Sequence, residues 1–298
     1  MAENTIRTRK VQWNHYFDFC RLVKLTPLPA SVELVTMYLS FMAERFTYTS
    51  IINYLSALWV LHKTHGYPLV DPTDFRIKTT LLGIKRILGD AKVQAIPLTA
   101  ADMARIFAAL DFSSTEDICF WLALLLGFRA LLRKSNLFES GLAVTIGDAY
   151  SHSWGLRLII RKSKTIQYCQ RIHTVFLSKL DTTRFCAAHY MSLLSVLVRY
   201  DSPACHLLSY VKKGNVVSAT YRWFQAKLTK LSVNLKMPRF TSHSMRRGGA
   251  SALAEAGISL QDLQELGDWR SMQVLAYLER STSSRVALDQ RMARALFG

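Results

Sequence analysis

Helical spacing of apolar residues dominates the first third of the chain. Four segments place their hydrophobic side chains on one face of a helix, at about residues 8–23, 31–46, 47–66 and 74–88. Ser31 is a favourable N-cap for the second segment, and Gly66 and Gly89 are typical stops after the third and fourth. This pattern predicts a small bundle of four helices with aromatic residues in its core.

A proline and a new helix start indicate a domain boundary after the fourth helix. Pro97 is followed by Thr99 and Asp102, as in a linker that runs into a fresh N-cap. The sequence therefore predicts two domains, a helical one over residues 1–92 and a larger one over residues 97–298.

The second domain changes its hydrophobic period part-way along. Two further helices are predicted at about residues 99–110 and 116–131. Apolar residues then alternate with other residues from Trp154 to Ile160, and again from Ile172 to Phe176, which predicts a pair of β-strands. From Asp181 onward the spacing predicts helices only. The expected fold class is therefore mainly α with a small β-sheet or hairpin.

The charge of the chain favours a polyanionic partner. Its 298 residues include 38 Lys and Arg against 21 Asp and Glu, a formal net charge of +17. Residues 1–96 hold 12 basic and 7 acidic side chains and residues 97–298 hold 26 and 14, so both predicted domains are basic. Nucleic acid is a better candidate than an anionic membrane surface. Three cations on one flank of the fourth helix are candidate DNA contacts, namely Lys78, Lys85 and Arg86.

Cysteine spacing and hydropathy exclude other classes of protein. The five cysteines are scattered and form no CxxC pair, which indicates a reducing, intracellular environment and no zinc site. The longest apolar run, from Ile118 to Leu132, contains Gly127 and Arg129 and is shorter than a membrane span of ~20 residues. We expect a soluble protein with no metal and no other cofactor.

The segment TSHSMRRGGAS, residues 241–251, places cations where a helix disfavours them. Ser242 is the predicted N-cap, so His243 and Arg246 share a face on the first turn of a helix. Positive charge at a helix N-terminus opposes the macrodipole, which indicates a negatively charged ligand nearby. Arg247 adds a further candidate contact to DNA. The glycines that follow would let this helix pack closely against its neighbours.

These residues resemble the C-terminal motif of the tyrosine recombinases. That motif is H-x-x-R, then a segment led by glycine, then a nucleophilic tyrosine ten residues past the glycine, as Gly267 and Tyr277 are spaced here. Upstream, LLRKSNL resembles the family's segment around its first catalytic arginine, which falls on Arg133. KSKTIQ resembles the hairpin that carries the catalytic lysine, which falls on Lys164.

The resemblance extends over nearly the whole chain. TSIINYLSALWVLHK is similar to the helical, SAM-like core-binding domain of this family. The motif spelling, with HSxRRGGAS and GDWxS, resembles recombinases of eukaryotic mobile elements, Crypton-like and DIRS-like, more than bacterial Xer proteins. An N-terminal core-binding domain and a C-terminal tyrosine recombinase catalytic domain are therefore expected, clamped around duplex DNA.

The resemblance implies site-specific DNA recombination or integration through a 3′-phosphotyrosyl intermediate on Tyr277. Arg133 and Arg246 would bind the non-bridging phosphate oxygens, Lys164 would protonate the leaving 5′-oxygen, and His243 would handle the tyrosine proton. A phenol, with a pKa of about 10, is a better leaving group than an alkyl alcohol, so the phosphotyrosyl bond can be reversed. Paired guanidinium groups supply positive charge that a metal would otherwise supply.

The same resemblance implies partners and a location. Double-stranded DNA and further copies of the chain, as a tetramer, are the expected partners, and a nuclear location is expected from the family alone. Residues 283–298 are expected to form a short amphipathic helix. The resemblance implies that this tail docks on a neighbouring protomer; the alternative is that it folds back on its own domain.

Two positions depart from the family pattern. Asn136 stands where the bacterial type of segment carries an acidic residue, which predicts the loss of an acidic support. Asp268 follows the motif glycine at a position that is usually His or Trp, and Trp269 comes one step later. If Asp268 fills this sixth position of the active site, its negative charge would be unfavourable beside a phosphate; Trp269 is the alternative.

Other assignments stay open. Lys162 and Arg161 lie in the same loop as Lys164 and compete with it as proton donor. A type IB topoisomerase would use the same chemistry to relax DNA as a monomer, but the short helical first domain and the tail disfavour it. A domesticated protein would bind DNA without cutting it, which the intact motif disfavours.

Overall fold

The computed structural model describes residues 3–68, 70–91, 94–168 and 170–278, together with residues 286, 289, 290 and 292. The chain divides into two compact units, Met1–Val93 and Gln94–Gly298. Within the described ranges, no helix is both long enough and apolar enough to cross a lipid bilayer. The amphipathic helix expected over residues 283–298 falls mostly outside the described residues.

The first unit contains the four helices that the apolar spacing predicts. They are α1 (Glu3–Val23), α2 (Val32–Ala43), α3 (Tyr48–His65) and α4 (Phe75–Leu88). The Ser31 hydroxyl accepts from the Leu34 N–H at 3.2 Å and caps α2, and Gly66 ends α3 with a φ of 71°. The buried ring of Tyr38 contacts those of Tyr16 and Phe19, with centroids 5.1 and 5.2 Å apart, so aromatic residues form the centre of this bundle.

The second unit combines helices with two small antiparallel sheets. Its helices are α5 (Ala100–Ala108), α6 (Thr115–Arg129), α7 (Lys134–Phe138), α8 (Ala187–Leu197), α9 (Tyr221–Asn234), α10 (Ser242–Glu255) and α11 (Leu260–Leu266). Its strands are β1 (Ala149–His152), β2 (Gly155–Ile160), β3 (His173–Ser178), β4 (Ser209–Lys212) and β5 (Asn215–Ser218). The predicted fold class, mainly α with a small β component, is confirmed.

The predicted strand pair corresponds to β2 and β3, with Ile160 opposite His173 and Gly155 opposite Ser178. β1 joins the free side of β2 and was not predicted. The expectation of helices only after Asp181 is wrong, because β4 and β5 form a hairpin there. Each of these strands has only four residues, too few for a clear alternation. Lys213 and Gly214 connect them with φ values of 50° and 80°, as a tight hairpin turn requires.

Helix α6 forms the centre of the second unit. Every residue from Ile118 to Gly127 is buried, so this helix is surrounded by protein on all sides. It packs against α8, α10 and β4. The chain that leaves its C-terminal end, residues 130–133, runs directly into the candidate site.

Helix α10 approaches its neighbours closely because it carries two adjacent glycines. A Cβ atom on Gly248 would lie 1.8 Å from the Leu98 carbonyl oxygen, and one on Gly249 would lie 1.9 Å from that of Phe128. Any side chain at either position would clash with backbone. The N-cap is Thr241, one residue earlier than predicted; its N–H donates to the Ser244 hydroxyl at 3.0 Å, which closes the first turn.

Candidate active site

Arg246 is a buried cation held by backbone carbonyl groups. It lies in the first turns of α10 and is 4% exposed. Its Nη1 donates to the carbonyl of Leu131 and its Nη2 to that of Gly267. The guanidinium also lies 3.9 Å from the centroid of the Trp269 ring, within the range of a cation–π contact. These contacts fix the position and orientation of the charge.

Two residues in the left-handed backbone conformation shape this pocket. Leu131 has a φ of 51° and Asp268 has a φ of 53°. Such a conformation is unfavourable for a bulky residue and costs about 1–3 kcal/mol, which the surrounding structure must offset. Strained residues of this kind concentrate at functional sites, and here they belong to the two segments whose carbonyls bind Arg246.

The electrostatics of the pocket favour an anion. Burial and the neighbouring Arg133 lower the pKa of Arg246 to about 9, so the group is still charged at neutral pH. The buried Nε of Arg246 has no hydrogen-bond partner within the described parts of the chain. Two desolvated guanidinium groups that repel each other would both be stabilised by a bound phosphate.

Arg133 is held chiefly by Asp268, with a longer contact of 3.5 Å to the Thr165 hydroxyl. It occupies the N-cap position of α7, and its side chain is 20% exposed. Its Nη1 lies 3.1 Å from Oδ2 of Asp268, and its Nη2 donates to the backbone carbonyl of the same residue at 2.8 Å. Arg133, predicted by the sequence motifs as the first catalytic arginine, is therefore held in a defined orientation near Arg246.

The carboxylate of Asp268 accepts hydrogen bonds from three segments of the second unit. Besides Arg133, its carboxylate accepts from Ser163 at 3.2 Å, from Thr165 and from Arg171. Burial alone would raise the pKa of Asp268, but the bonds from Thr165, Arg171 and Arg133 outweigh it and hold the pKa at about 2. The carboxylate is thus ionised and paired with two arginines, so its negative charge is already balanced.

Tyr277 lies beside Arg246. It ends a 3-10 turn, Met272–Tyr277, and its ring centroid is 5.1 Å from that of Trp269 and 5.5 Å from Cζ of Arg246. The Ser251 hydroxyl on α10 donates to the Tyr277 carbonyl at 3.3 Å. The phenol is half-buried, so its ring is held by packing without being sealed from a substrate.

His243 lies on the first turn of α10, with one part of the side chain open to solvent and another part covered by protein. Partial burial lowers its pKa, and the positive charges of Lys134, Arg246 and Lys164 lower it further. A neutral imidazole at neutral pH can accept a proton. Four predicted residues that are far apart in sequence, Arg133, His243, Arg246 and Tyr277, therefore meet in one place.

The loop between β2 and β3 presents Lys164 to solvent. Ser163 and Ile166 exchange backbone hydrogen bonds of 3.2 and 3.1 Å, which makes a tight turn with Lys164 at its tip. The competing cations in this loop are engaged differently. Arg161 pairs with Asp148 at 2.7 Å, and Lys162 is exposed before the turn begins.

The described residues contain no group of three or more His, Cys, Asp or Glu side chains that could hold a metal ion.

No family model matches the chain. Among individual proteins, it is similar to the recombinase Cre of Escherichia phage P1, with 22% identity over 300 residues that cover 92% of this chain and 83% of Cre.

Two solved structures share the fold over nearly the whole chain. The Tn1549 transposon integrase, in complex with transposon right end DNA, superposes with a TM-score of 0.66 at 17% identity, covering 98% of this chain and 95% of that one. The XerH site-specific recombinase, in a post-cleavage complex with its palindromic difH substrate, has a TM-score of 0.65 at 14% identity, covering 97% and 78%.

The two departures from the recombinase motif are related in the structure. Asn136 is buried, and its amide donates to the carbonyls of Lys162 at 2.8 Å and Leu142 at 3.2 Å, so it supports the lysine loop instead of an arginine. The carboxylate that supports Arg133 comes from Asp268. Of the two candidates for the sixth position of a recombinase active site, Trp269 contacts the nucleophile candidate and Arg246, whereas Asp268 binds Arg133.

Several residues around Asp268 were missed by sequence reasoning. Ser163 and Thr165 flank the predicted lysine, and a buried carboxylate needs partners, so their hydroxyls could have been suspected. Arg171 carried no signal beyond its charge, because it lies outside the recombinase motifs. Lys134 could have been found from its place next to Arg133.

The predicted DNA contacts lie outside this cluster. Lys78, Lys85 and Arg86 are exposed on α4 in the first unit, where Lys85 pairs with Asp90 at 2.8 Å. Arg247 is half-buried, and its Nη1 donates to the carbonyl of Ala95 at 3.1 Å. A DNA contact by these four cations stays a prediction.

Proposed function

We propose that this chain is a site-specific DNA recombinase that cuts and rejoins strands through a 3′-phosphotyrosyl intermediate on Tyr277. The convergence of Tyr277 with the buried Arg246, the clamped Arg133 and the neutral His243 carries this proposal. The similarity to Cre, which is named a recombinase, supports it, as do the DNA-bound structures of the Tn1549 integrase and XerH.

Cleavage is a transfer of the phosphoryl group from DNA to the phenol. The Tyr277 oxygen attacks phosphorus, its bond to phosphorus forms, and the bond from phosphorus to the 5′-oxygen breaks. His243 accepts the phenol proton, and Lys164 donates a proton to the departing 5′-oxygen. In rejoining, the 5′-hydroxyl of a second strand attacks the same phosphorus and gives its proton to Lys164, the bond from phosphorus to the Tyr277 oxygen breaks, and His243 returns a proton to the released phenol.

Arg133 and Arg246 stabilise the negative charge that develops on the phosphate. Both guanidinium groups are oriented before substrate arrives, one by a carboxylate and the other by two carbonyls. Charges that are already in position require no reorganisation during the reaction. In many active sites, such preorganised charges are the largest source of transition-state stabilisation. Trp269 packs between Arg246 and Tyr277 and keeps the nucleophile beside the phosphate pocket.

The partner is duplex DNA, and exchange of strands needs several copies of the chain, for which we propose a tetramer. The excess of basic residues supports a phosphate-dominated interface. From the motif spelling we further propose an origin in a eukaryotic mobile element and action in the nucleus.

A pool of duplexes, each with a nick next to a random sequence, tests the proposal without knowledge of the target. The nick lets the cleaved end diffuse away and traps the covalent complex. We expect the wild-type protein to form an SDS-resistant adduct with a subset of the pool, and Tyr277→Phe, which keeps the ring contacts, to form none.

The other outcomes separate the alternatives. DNA binding with no adduct in any duplex would favour a protein that binds without cutting. Relaxation of supercoiled plasmid by a monomer, with no exchange between two captured sites, would favour a topoisomerase.

A further inference from the structure

We propose that Asp268 is a positioning residue that fixes two catalytic groups at once, Arg133 and the loop that presents Lys164. This inference rests on the proposed recombinase function and extends it to a residue whose charge alone would oppose phosphate binding. Asp268 lies between Gly267, whose carbonyl binds Arg246, and Trp269, whose ring contacts Arg246 and Tyr277.

The side chain of Asp268 joins Arg133, which also donates to the Asp268 carbonyl at 2.8 Å, to the loop that carries Lys164. One oxygen, Oδ2, lies 3.1 Å from Arg133 and accepts from the hydroxyls of Ser163 and Thr165. Those hydroxyls stand on either side of Lys164 in the chain. The carboxylate therefore holds the turn on both sides of the lysine while it orients the arginine.

This arrangement distinguishes Lys164 from Lys162. Lys164 is flanked by the two residues that bind Asp268, whereas Lys162 precedes them and its carbonyl accepts from the Asn136 amide. A proton donor must return to the same place in each cycle. The geometry therefore assigns the proton transfer to the lysine inside the turn.

Arg171 makes this carboxylate compatible with a phosphate. It donates to the second oxygen of Asp268, Oδ1, and is itself partly exposed. One carboxylate between two guanidinium groups leaves a net positive charge at that point of the site. Because both oxygens of Asp268 are paired with guanidinium groups, its negative charge is balanced and repels a phosphate less than an unpaired carboxylate would.

The test compares two leaving groups on a duplex captured by the wild-type protein. One substrate has the natural 5′-oxygen at the cut, and the other has sulfur in its place. A thiol has a pKa of about 8.5, far below that of an alcohol, so the sulfur leaves without a proton donor. A variant that misplaces Lys164 should therefore form adduct at the normal rate on the sulfur substrate. A variant that misplaces Arg133 should stay slow on both substrates.

Three variants give different expected patterns of single-turnover adduct formation. Ser163→Ala, which removes one bond between the loop and Asp268 and none to Arg133, is expected to be slow on oxygen and to recover on sulfur. Asp268→Asn tolerates the left-handed backbone and should be about 100-fold slower on oxygen, with partial recovery on sulfur. Arg133→Ala should be slow on both substrates.

Asp148→Asn is the matched control, because Asp148 is also a carboxylate paired with an arginine, Arg161, at 2.7 Å in the same unit. It is expected to keep wild-type rates on both substrates. Wild-type rates for Asp268→Asn, or an equal loss on both substrates, would overturn the positioning role. An absence of adduct with the wild-type protein on either substrate would instead contradict the proposed function.

Discussion

Two sets of cations in this chain are held in opposite ways. Lys78, Lys85 and Arg86 on α4 are exposed to water, whereas Arg246 is 4% exposed and bound to two carbonyls. Hydrated charges on long side chains attract a phosphate backbone without fixing it, and salt screens them. A buried, oriented charge is already arranged for one phosphate. Under the proposed function, the exposed cations therefore contribute to DNA affinity, and the buried, oriented cation contributes to the reaction.

The largest effect on the reaction rate is expected from Arg246→Lys. A lysine keeps the charge but has one ammonium group, which cannot span the carbonyls of Leu131 and Gly267 and also face a phosphate. Single-turnover adduct formation should slow by about 1000-fold, with DNA affinity little changed. Arg161→Lys, at an exposed arginine that pairs with Asp148, is the control and should react normally. A near-normal rate for Arg246→Lys would mean that burial of this charge is unimportant.

An intermediate effect is expected from the titration of His243. Its pKa is lowered by burial and then by Lys134, Arg246 and Lys164, so the imidazole is neutral at pH 7 and gains a proton only at lower pH. The cleavage rate should be level near pH 7 and fall as the pH drops through the lowered pKa, below about 6.5.

Two variants check the origin of this profile. His243→Gln should remove the inflection and slow cleavage by about 100-fold. Lys134→Gln, which removes one neighbouring charge, should move the inflection to higher pH. An inflection that does not move would show that Lys134 has no influence on the base.

The smallest effect is expected from the exposed cations of α4. Lys78→Ala should weaken binding to every DNA sequence by a few-fold and reduce the slope of log affinity against log salt by about 1. Lys85→Ala should lose less, because the Lys85 ammonium already lies 2.8 Å from Asp90. Adduct formation at saturating DNA should be unchanged in both. A loss of rate at saturation would remove the distinction between the two sets of cations.

The sequence predicted those parts of the fold that depend on local signals. Helices α2 to α4 have clear caps, and β2 and β3 show clear alternation, so both were found. The hairpin of β4 and β5 was missed because its strands are too short to reveal a period. The left-handed conformation of Leu131 was also out of reach, since it depends on the packing of α6 and α10 and not on the preference of leucine.

The candidate site shows the same limit at the level of single residues. His243 and Arg246 could be placed together because they lie three apart on one helix. Asp268 was recognised as unusual, but its consequence was expected to be unfavourable. Its pairing with Arg171 and its bonds to the lysine loop come from the tertiary fold, and charge balance at one atom cannot be calculated from spacing along a chain.

The two carbonyls that bind Arg246 have a consequence during synthesis of the protein. Leu131 is made early in the second unit, Arg246 much later, and Gly267 later still. A ribosome-bound chain that has not yet extended past Gly267 has no completed cradle for the phosphate, and its Tyr277 does not yet exist. Under the proposed function, a nascent chain cannot cleave DNA until Tyr277 has been made and the carbonyl of Gly267 has reached Arg246.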